Sequence, residues 1–322
     1  MSKVLVLGAT GGIGGEMARQ LHAAGWQVCA LTRDVDKARG QNAAFTWLEG
    51  DALKRKDVLA AARGCAVIVH AVNPPGYRRW AELVLPMIDN TIAAAIAEGA
   101  TIVLPGTVYN FGPDAFPLLH EDSPQHPKTR KGAIRVQLEQ RLYAASGNGA
   151  RVLIVRAGDF FGAQTANSWF SQGLVNAGKP VHSVNYPGAR GVAHQWAYLP
   201  DVARTMVELL ERRDTLEAFA RFHMAGHTDA DGTQMSRAIQ RVVLRRTGQQ
   251  PVVRTFPWWL LKMVSPFVAT FREMLEMRYL WQTPVLLDNT RLVQVLGAEP
   301  CTPLDEAVET ALTGMGCLPR AL

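Results

Sequence analysis

Three glycines, Gly8, Gly11 and Gly14, are spaced in the pattern of a loop that holds phosphate groups. An apolar run at Lys3–Leu7 precedes them, and a helical apolar pattern begins directly after them. In such a turn the first glycine permits a tight backbone, the second lets a pyrophosphate approach, and the third lets the helix pack on the strand. The free N–H groups at the helix start attract the phosphates. The turn residues predicted to contact a dinucleotide are Gly8, Thr10, Gly11, Gly12, Ile13 and Gly14.

The residue after the second strand of such a fold meets the ribose 2′ position of the dinucleotide. Arg33 stands there, and its guanidinium suits a 2′-phosphate, which favours NADP(H) over NAD(H). Asp34 is the alternative, because an acid at this place would bind the ribose of NAD(H). Further along the sheet edge we expect contacts to the cofactor from Asp51, Ala52, Ala71 and Val72. His70, at the end of a buried strand, is predicted to be a core histidine rather than a base.

The elements that position these residues alternate between strands and helices. Strands are expected at 3–7, 27–32, 45–49, 66–70, 101–104 and 151–156, and helices at 12–24, 54–63, 80–98 and 131–145. This alternation predicts an α/β, doubly wound parallel sheet with helices on both faces. We expect a dinucleotide-binding domain over residues 1–160 and a smaller mixed substrate lobe over 161–322, folding back on the first domain.

The composition is that of a soluble protein, with 48% hydrophobic and 19% charged residues. The net charge of +6 comes from scattered arginines without a basic aromatic stripe, so no nucleic-acid partner is expected. The four cysteines have no metal-ligand spacing, and no metal is expected. The chain shows neither a leader pattern nor an obvious membrane-spanning run, so we expect a cytoplasmic protein with a small-molecule substrate and no membrane partner.

With these motifs, residues 1–211 resemble the short-chain dehydrogenase/reductase superfamily in its extended and atypical branches. The resemblance rests on the glycine turn, on Gly50-Asp51, on residues 108–112, and on the acidic, proline-rich segment 121–127. The segments 156–162 and 194–203 are similar to those that form the substrate pocket of sugar-nucleotide epimerases and dehydratases, with Asp159 at a family asparagine position. Pocket-wall residues implied by this resemblance are Asp159, Phe161, His194, Trp196 and Tyr198.

The chain departs from the family pattern at the catalytic position. The family's acid/base is a tyrosine four residues before a lysine, which itself lies four before a glutamate. Counting back from Glu139, Arg135 holds the lysine position and Lys131 holds the tyrosine position. Pro105 replaces the usual serine or threonine, with Thr107 two residues later.

A second resemblance, to NmrA-like and isoflavone-reductase-like proteins, implies a role for Lys131. In the plant reductases of that group a lysine at this position is the acid/base, which requires burial and a nearby positive charge to lower a lysine pKa. Lys131 is alternatively a ligand of the cofactor ribose or a solvated residue. Tyr109 is a second candidate proton donor, and Thr107 a candidate hydrogen-bond partner of the substrate.

The sequence thus favours an NADP(H)-dependent oxidoreductase, with NAD(H) as the alternative cofactor. Two other functions stay open: a non-catalytic NADP(H)-binding regulator, implied by the NmrA resemblance, and a sugar-nucleotide epimerase or dehydratase. By analogy with the superfamily, the helices at 80–98 and 131–145 are candidates for a homodimer interface. Trp258, Trp259 and Trp281 fall in an apolar run and are predicted to be core residues.

Overall fold

The computed structural model describes residues 2–74, 79–165, 168–266 and 268–319. It confirms an α/β fold around a seven-stranded parallel sheet in the order β11-β7-β5-β4-β1-β2-β3. These strands are β1 (Lys3–Leu7), β2 (Gln27–Thr32), β3 (Thr46–Glu49), β4 (Val67–His70), β5 (Thr101–Gly106), β7 (Arg151–Arg156) and β11 (Phe219–His223).

The strand order reverses between β1 and β4, which opens a crevice beyond the carboxyl ends of these strands. The chain first winds outwards through β2 and β3, then returns to β4 and winds the other way. β4 carries only apolar residues before His70 and is buried throughout, as is typical of a central strand in a parallel sheet. The crevice is therefore the place where a ligand can reach the ends of several strands.

Helices cover both faces of this sheet and bury its apolar side chains. One face carries α1 (Gly12–Ala23) and α6 (Leu199–Glu211) over a core that includes Val6, Met17 and Met206. The other carries α3 (Arg55–Ala61), α4 (Trp80–Glu98) and α5 (Arg130–Ser146) over a core with Leu5 and Ile102. The short α2 (Val35–Arg39) follows β2.

By length and composition α4 is apolar enough to cross a membrane, contrary to the sequence-based expectation. In the fold it packs against α3, α5 and the sheet, with Val84, Ile88 and Ala95 buried. A core helix meets the same criteria, so this finding carries no membrane assignment.

The remaining elements of the chain form smaller sheets and a helical layer beside the crevice. They are β6 (Leu118–Leu119), β8 (Asp159–Phe161), β9 (Ser183–Tyr186), β10 (His194–Tyr198), β12 (His227–Asp229), β13 (Val252–Thr255), β14 (Leu286–Leu287), α7 (Gln234–Thr247), α8 (Trp258–Val264), α9 (Ala269–Glu276), α10 (Thr290–Leu296) and α11 (Leu304–Gly314). A third core of Phe161, Trp196, Ile239, Trp281 and Val308 holds this part together. Since β11 returns to the main sheet, the later part of the chain is joined to the first through a shared strand.

Candidate active site

The glycine turn has the backbone that a dinucleotide loop requires. Gly8 has a φ of +92°, and a Cβ there would lie 2.6 Å from the carbonyl oxygen of Ala71. A Cβ on Gly14 would lie 2.2 Å from the carbonyl oxygen of Gly8, so α1 packs directly on the turn. Helix α1 begins after Gly11 without a side-chain cap and without an acid in its first turn. Its free N–H groups and positive dipole end are open to an anion.

A cleft of about 480 Å³ extends from this turn along the carboxyl ends of β1, β2 and β3. Of the residues predicted to bind the cofactor, the cleft is lined by Gly8, Thr10, Arg33, Asp51, Ala52 and Val72. Three other predicted residues are not part of this lining: Ile13 packs partly buried against the core, Ala71 lies against Gly8, and Gly12 faces the backbone of Gln164.

The cleft end beside β2 is cationic. Arg33 is exposed and shares the lining with Lys37, which lies in the first turn of α2. Asp34, the alternative ribose acid, caps α2 by accepting a hydrogen bond of 3.0 Å from the Lys37 backbone N–H. Asp51 donates its backbone N–H to Asp57 at 3.0 Å, and one oxygen of its carboxylate accepts the backbone N–H of Leu53 at 3.0 Å, which leaves the other oxygen for an adenine. The structure therefore places two cations, Arg33 and Lys37, near the expected position of the ribose 2′ group. Lys37 was not among the residues predicted from the sequence.

A second cavity of about 450 Å³ continues from the cleft, and both are lined by Asn73 and Pro74. Its polar lining includes all three candidate catalytic residues, Thr107, Tyr109 and Lys131. Its apolar wall is formed by Val108, Phe160, Trp169, Met274, Met277, Leu280 and Trp281. A dinucleotide in the cleft would thus end where a substrate with an apolar body fits.

Lys131 enters this cavity from the first turn of α5. Thr129 caps that helix by accepting a hydrogen bond of 3.0 Å from the N–H of Gly132. The Lys131 side chain is only 5% exposed, and its Nζ lies 3.9 Å from a carboxylate oxygen of Glu276. The other oxygen of Glu276 accepts the N–H of Arg130 at 2.9 Å. The Glu276 carboxylate of α9 thus contacts both the first residue of α5 and the ammonium group of Lys131.

Tyr109 and Arg135 lie next to this lysine. Burial raises the pKa of the Tyr109 phenol, and the nearby positive charge of Arg135 offsets part of this effect. The Arg135 guanidinium stacks over the Trp80 ring at 5.0 Å and reaches the side-chain oxygen of Asn73 at 3.5 Å. Because Asn73 lines both cavities, Arg135 supports the point where they meet.

A buried hydrogen-bond network orients Thr107. Its hydroxyl donates to Asn110 at 2.6 Å, and Asn110 donates to the carboxylate of Glu139 at 2.8 Å. Arg156 donates to both oxygens of Glu139 at 2.9 Å and also to the Thr107 carbonyl oxygen. Since the hydroxyl proton of Thr107 points inwards, this side chain presents a hydrogen-bond acceptor to the cavity.

Of the five residues predicted to form the pocket wall, the structure places only Asp159 on the cavity surface. Asp159 lines the cavity, and it accepts a hydrogen bond of 2.8 Å from His194, which lies behind it. Phe161, Trp196 and Tyr198 do not reach the cavity, because they are buried in the third core. Trp196 and Tyr198 belong to β10, which is buried along its whole length.

The three tryptophans predicted as core residues have three different environments. Trp258 is buried, whereas the Trp259 side chain is exposed. Trp281 is buried yet lines the cavity, stacked on His194 at 3.9 Å. His70 is a core histidine as expected: its ring accepts or donates a hydrogen bond of 2.8 Å with Thr91. Burial lowers its pKa to about 3.

A cluster of metal-ligand type lies away from this cavity. Ligand atoms of Asp201, His227 and Cys301 lie within 4.8 Å of one another. Both Asp201 oxygens already accept hydrogen bonds from Thr302, at 2.7 and 2.8 Å. The carboxylate thus ties the segment after α10 to the start of α6, which accounts for its position without an ion.

Comparison with known proteins places these features in a family. The model of the NAD dependent epimerase/dehydratase family matches residues 4–225. A 3-diazoavenalumate denitrifying reductase from a Streptomyces species is 30% identical over 179 residues, which are 51% of this chain and 58% of that protein. The chain therefore spans somewhat more than half the length of this relative.

Solved structures share the fold at low sequence identity. MoeE5 in complex with UDP-glucose and NAD superposes with a TM-score of 0.72 at 18% identity, covering 97% of this chain and 98% of that one. The UDP-N-acetylglucosamine 4-epimerase from Bacillus cereus gives 0.71 at 14% identity, covering 100% and 99%. The shared fold therefore covers nearly the whole chain, including residues after 225, where the family match ends.

Proposed function

The chain belongs to the NAD-dependent epimerase/dehydratase family, and on this premise we propose that it is an NADP(H)-dependent reductase of a small or medium-sized organic substrate. The observation that carries the proposal is the position of Lys131. It takes the place of the family tyrosine and reaches, almost fully buried, into a cavity that continues the cofactor cleft. One relative is a reductase, which supports hydride transfer from the cofactor to the substrate as the direction of the reaction.

The preference for NADP(H) rests on the charge at the end of β2. Arg33 and Lys37 line the cleft there, and Asp34 is occupied as a helix cap. A 2′-phosphate would meet two cations here, whereas the Asp34 carboxylate, which also lines the cleft, has one oxygen engaged by the Lys37 backbone N–H. The uncapped start of α1 and the packed turn at Gly8 and Gly14 fit the pyrophosphate.

When bound, the cofactor supplies a hydride to a carbonyl or similarly activated carbon. Lys131 donates the proton to the atom that becomes negative, and Glu276 keeps its ammonium group in place before transfer. Thr107 accepts a hydrogen bond from a substrate hydroxyl, which orients the reacting group. The wall of Trp169, Trp281 and the methionines excludes water and selects a substrate with an aromatic or aliphatic body.

The test is turnover of NADPH against a panel of aromatic and aliphatic aldehydes, ketones and conjugated carbonyl compounds. Lys131→Met keeps the apolar stem but removes the proton donor, and it should lower kcat by about 10²–10⁴-fold. Lys128→Met is the matched control, because Lys128 is exposed and lies over the Tyr279 ring outside the cavity. Turnover by Lys131→Met at the wild-type rate would refute the assigned role.

The same experiment separates the other functions. If Lys131→Met instead weakens NADPH binding by a large factor and leaves kcat intact, Lys131 is a cofactor ligand. Tight NADPH binding with no turnover on the whole panel favours a regulator. The family match and the UDP-sugar complexes of its structural neighbours favour a sugar-nucleotide epimerase as the second candidate, and UDP-glucose in the panel tests it.

A further inference from the structure

Helix α8 is apolar on two opposite sides. Its inner side holds Trp258 and Leu261 in the third core, and the Trp258 ring nitrogen donates to the carbonyl of Pro187 at 2.9 Å. Its outer side consists of Trp259, Leu260 and Met263, which we call the apolar ridge. Their exposed fractions are 67%, 43% and 64%. Since these residues are one, three and four positions apart, they share one face of the helix.

Exposed apolar side chains are concentrated in the segment that carries the apolar ridge. Of ten large hydrophobic residues exposed in the described part of the chain, five lie between residues 252 and 263. The other two, Val252 and Val253, belong to β13 just before α8. Three large exposed apolar side chains on one face of a single short helix, unlike scattered exposed residues, mark an interaction surface.

The charge around the ridge identifies the partner. Residues 232–272 contain seven lysines and arginines and no aspartate or glutamate. Three of the arginines, on α7, are neutralised by Asp305 and Glu309 of α11. Arg254, Lys262 and Arg272 are exposed and flank the ridge on β13, α8 and α9. At the surface of an anionic bilayer, apolar side chains enter the headgroup region and basic side chains bind the lipid phosphates. The ridge and the three basic residues near it offer both kinds of side chain.

We propose that the apolar ridge docks this protein on anionic membrane surfaces, with Trp259, Leu260 and Met263 inserted at headgroup depth. Arg254, Lys262 and Arg272 contact the lipid phosphates. This proposal departs from the sequence-based expectation of no membrane partner, which rested on the lack of a spanning run and did not consider docking at the surface. The docking surface adjoins the second cavity, because the ring centroids of Trp258 and Trp169 lie 5.5 Å apart and α8 packs on α9, which supplies Met274 to the wall.

The experiment is sedimentation of the full-length protein with vesicles of phosphatidylcholine, with and without about one-third phosphatidylglycerol. We expect binding to the anionic vesicles, at least about tenfold weaker binding to the neutral ones, and loss of binding near 0.5 M salt. Trp259→Ser/Met263→Ser and Arg254→Glu/Lys262→Glu should each weaken binding by about tenfold or more. Tyr143→Ser, which changes an equally exposed aromatic residue on α5, should bind like the wild type.

Because all of these side chains are exposed, the variants should unfold at the wild-type temperature, which is measured in parallel. Equal binding to neutral and anionic vesicles, or an unchanged affinity of both double variants, would overturn the proposal. So would a vesicle-free dimer that sedimentation velocity detects in the wild type and not in Trp259→Ser/Met263→Ser, because a second copy would then cover the ridge. None of these results depends on the reductase activity.

Discussion

Replacing Glu139 by alanine should destabilise the protein strongly, although this residue touches neither cavity. Its side chain is 6% exposed and pairs with Arg156, which is 1% exposed. Removing one partner of such a buried pair leaves a buried charge without compensation and costs about 3–5 kcal/mol. Gln125 and Asn110 also each lose a hydrogen bond to this carboxylate, so we expect the upper part of this range.

Urea unfolding followed by tryptophan fluorescence measures this effect. With an m-value of about 3 kcal/mol/M, a loss of about 4 kcal/mol lowers the midpoint by roughly 1.3 M. Glu208→Ala is the control: its pair with Arg204 has the same 2.9 Å distance but is largely in solvent, and should change stability by less than about 1 kcal/mol. If Glu139→Ala unfolds at the same urea concentration as Glu208→Ala, the network does not hold Thr107 as argued.

Three further predictions concern the cofactor and the buried histidines. Arg33→Ala should weaken NADPH binding by about 1.5–3 kcal/mol and leave NADH binding unchanged; equal losses in fluorescence titrations would contradict the 2′-phosphate assignment. Gly14→Ala should abolish binding of both dinucleotides, because its Cβ meets a carbonyl at 2.2 Å, whereas Gly147→Ala, at an open helix end, should bind normally in calorimetry. Burial lowers the pKa values of His70 and His223 to about 3. The unfolded chain, with histidine pKa values near 6.5, binds more protons, so stability should fall from about pH 6.5 towards pH 3, by roughly 2 kcal/mol per histidine at pH 5. Urea midpoints across this range check it, and a flat profile would count against neutral burial.

The first half of the fold follows from its local pattern. Strands β1, β2 and β7 have the predicted bounds, and most other strands of the central sheet differ by one or two residues. These strands are short, continuous apolar runs bounded by turns, so composition and period alone identify them.

The wall of the second cavity could not be predicted in the same way. Trp281, Met274 and Leu280 reach it from the end of the chain through long-range packing, which leaves no periodic signal in the sequence. Phe161 and Trp196 matched a family segment but point into the third core. Glu276 lies in no recognisable sequence motif. Only its contacts with Lys131 and Arg130 in the structure show that it belongs to the site.

The most direct test of the account is a single turnover with NADPH carrying deuterium at the transferable C4 position. The wild-type protein should move deuterium to the reduced carbon of an accepted carbonyl compound, detected by mass spectrometry. Lys131→Met should slow this transfer by about 10²-fold or more while binding NADPH with a near-wild-type Kd. Transfer at the wild-type rate in Lys131→Met would contradict the central claim that this lysine performs the role of the family tyrosine.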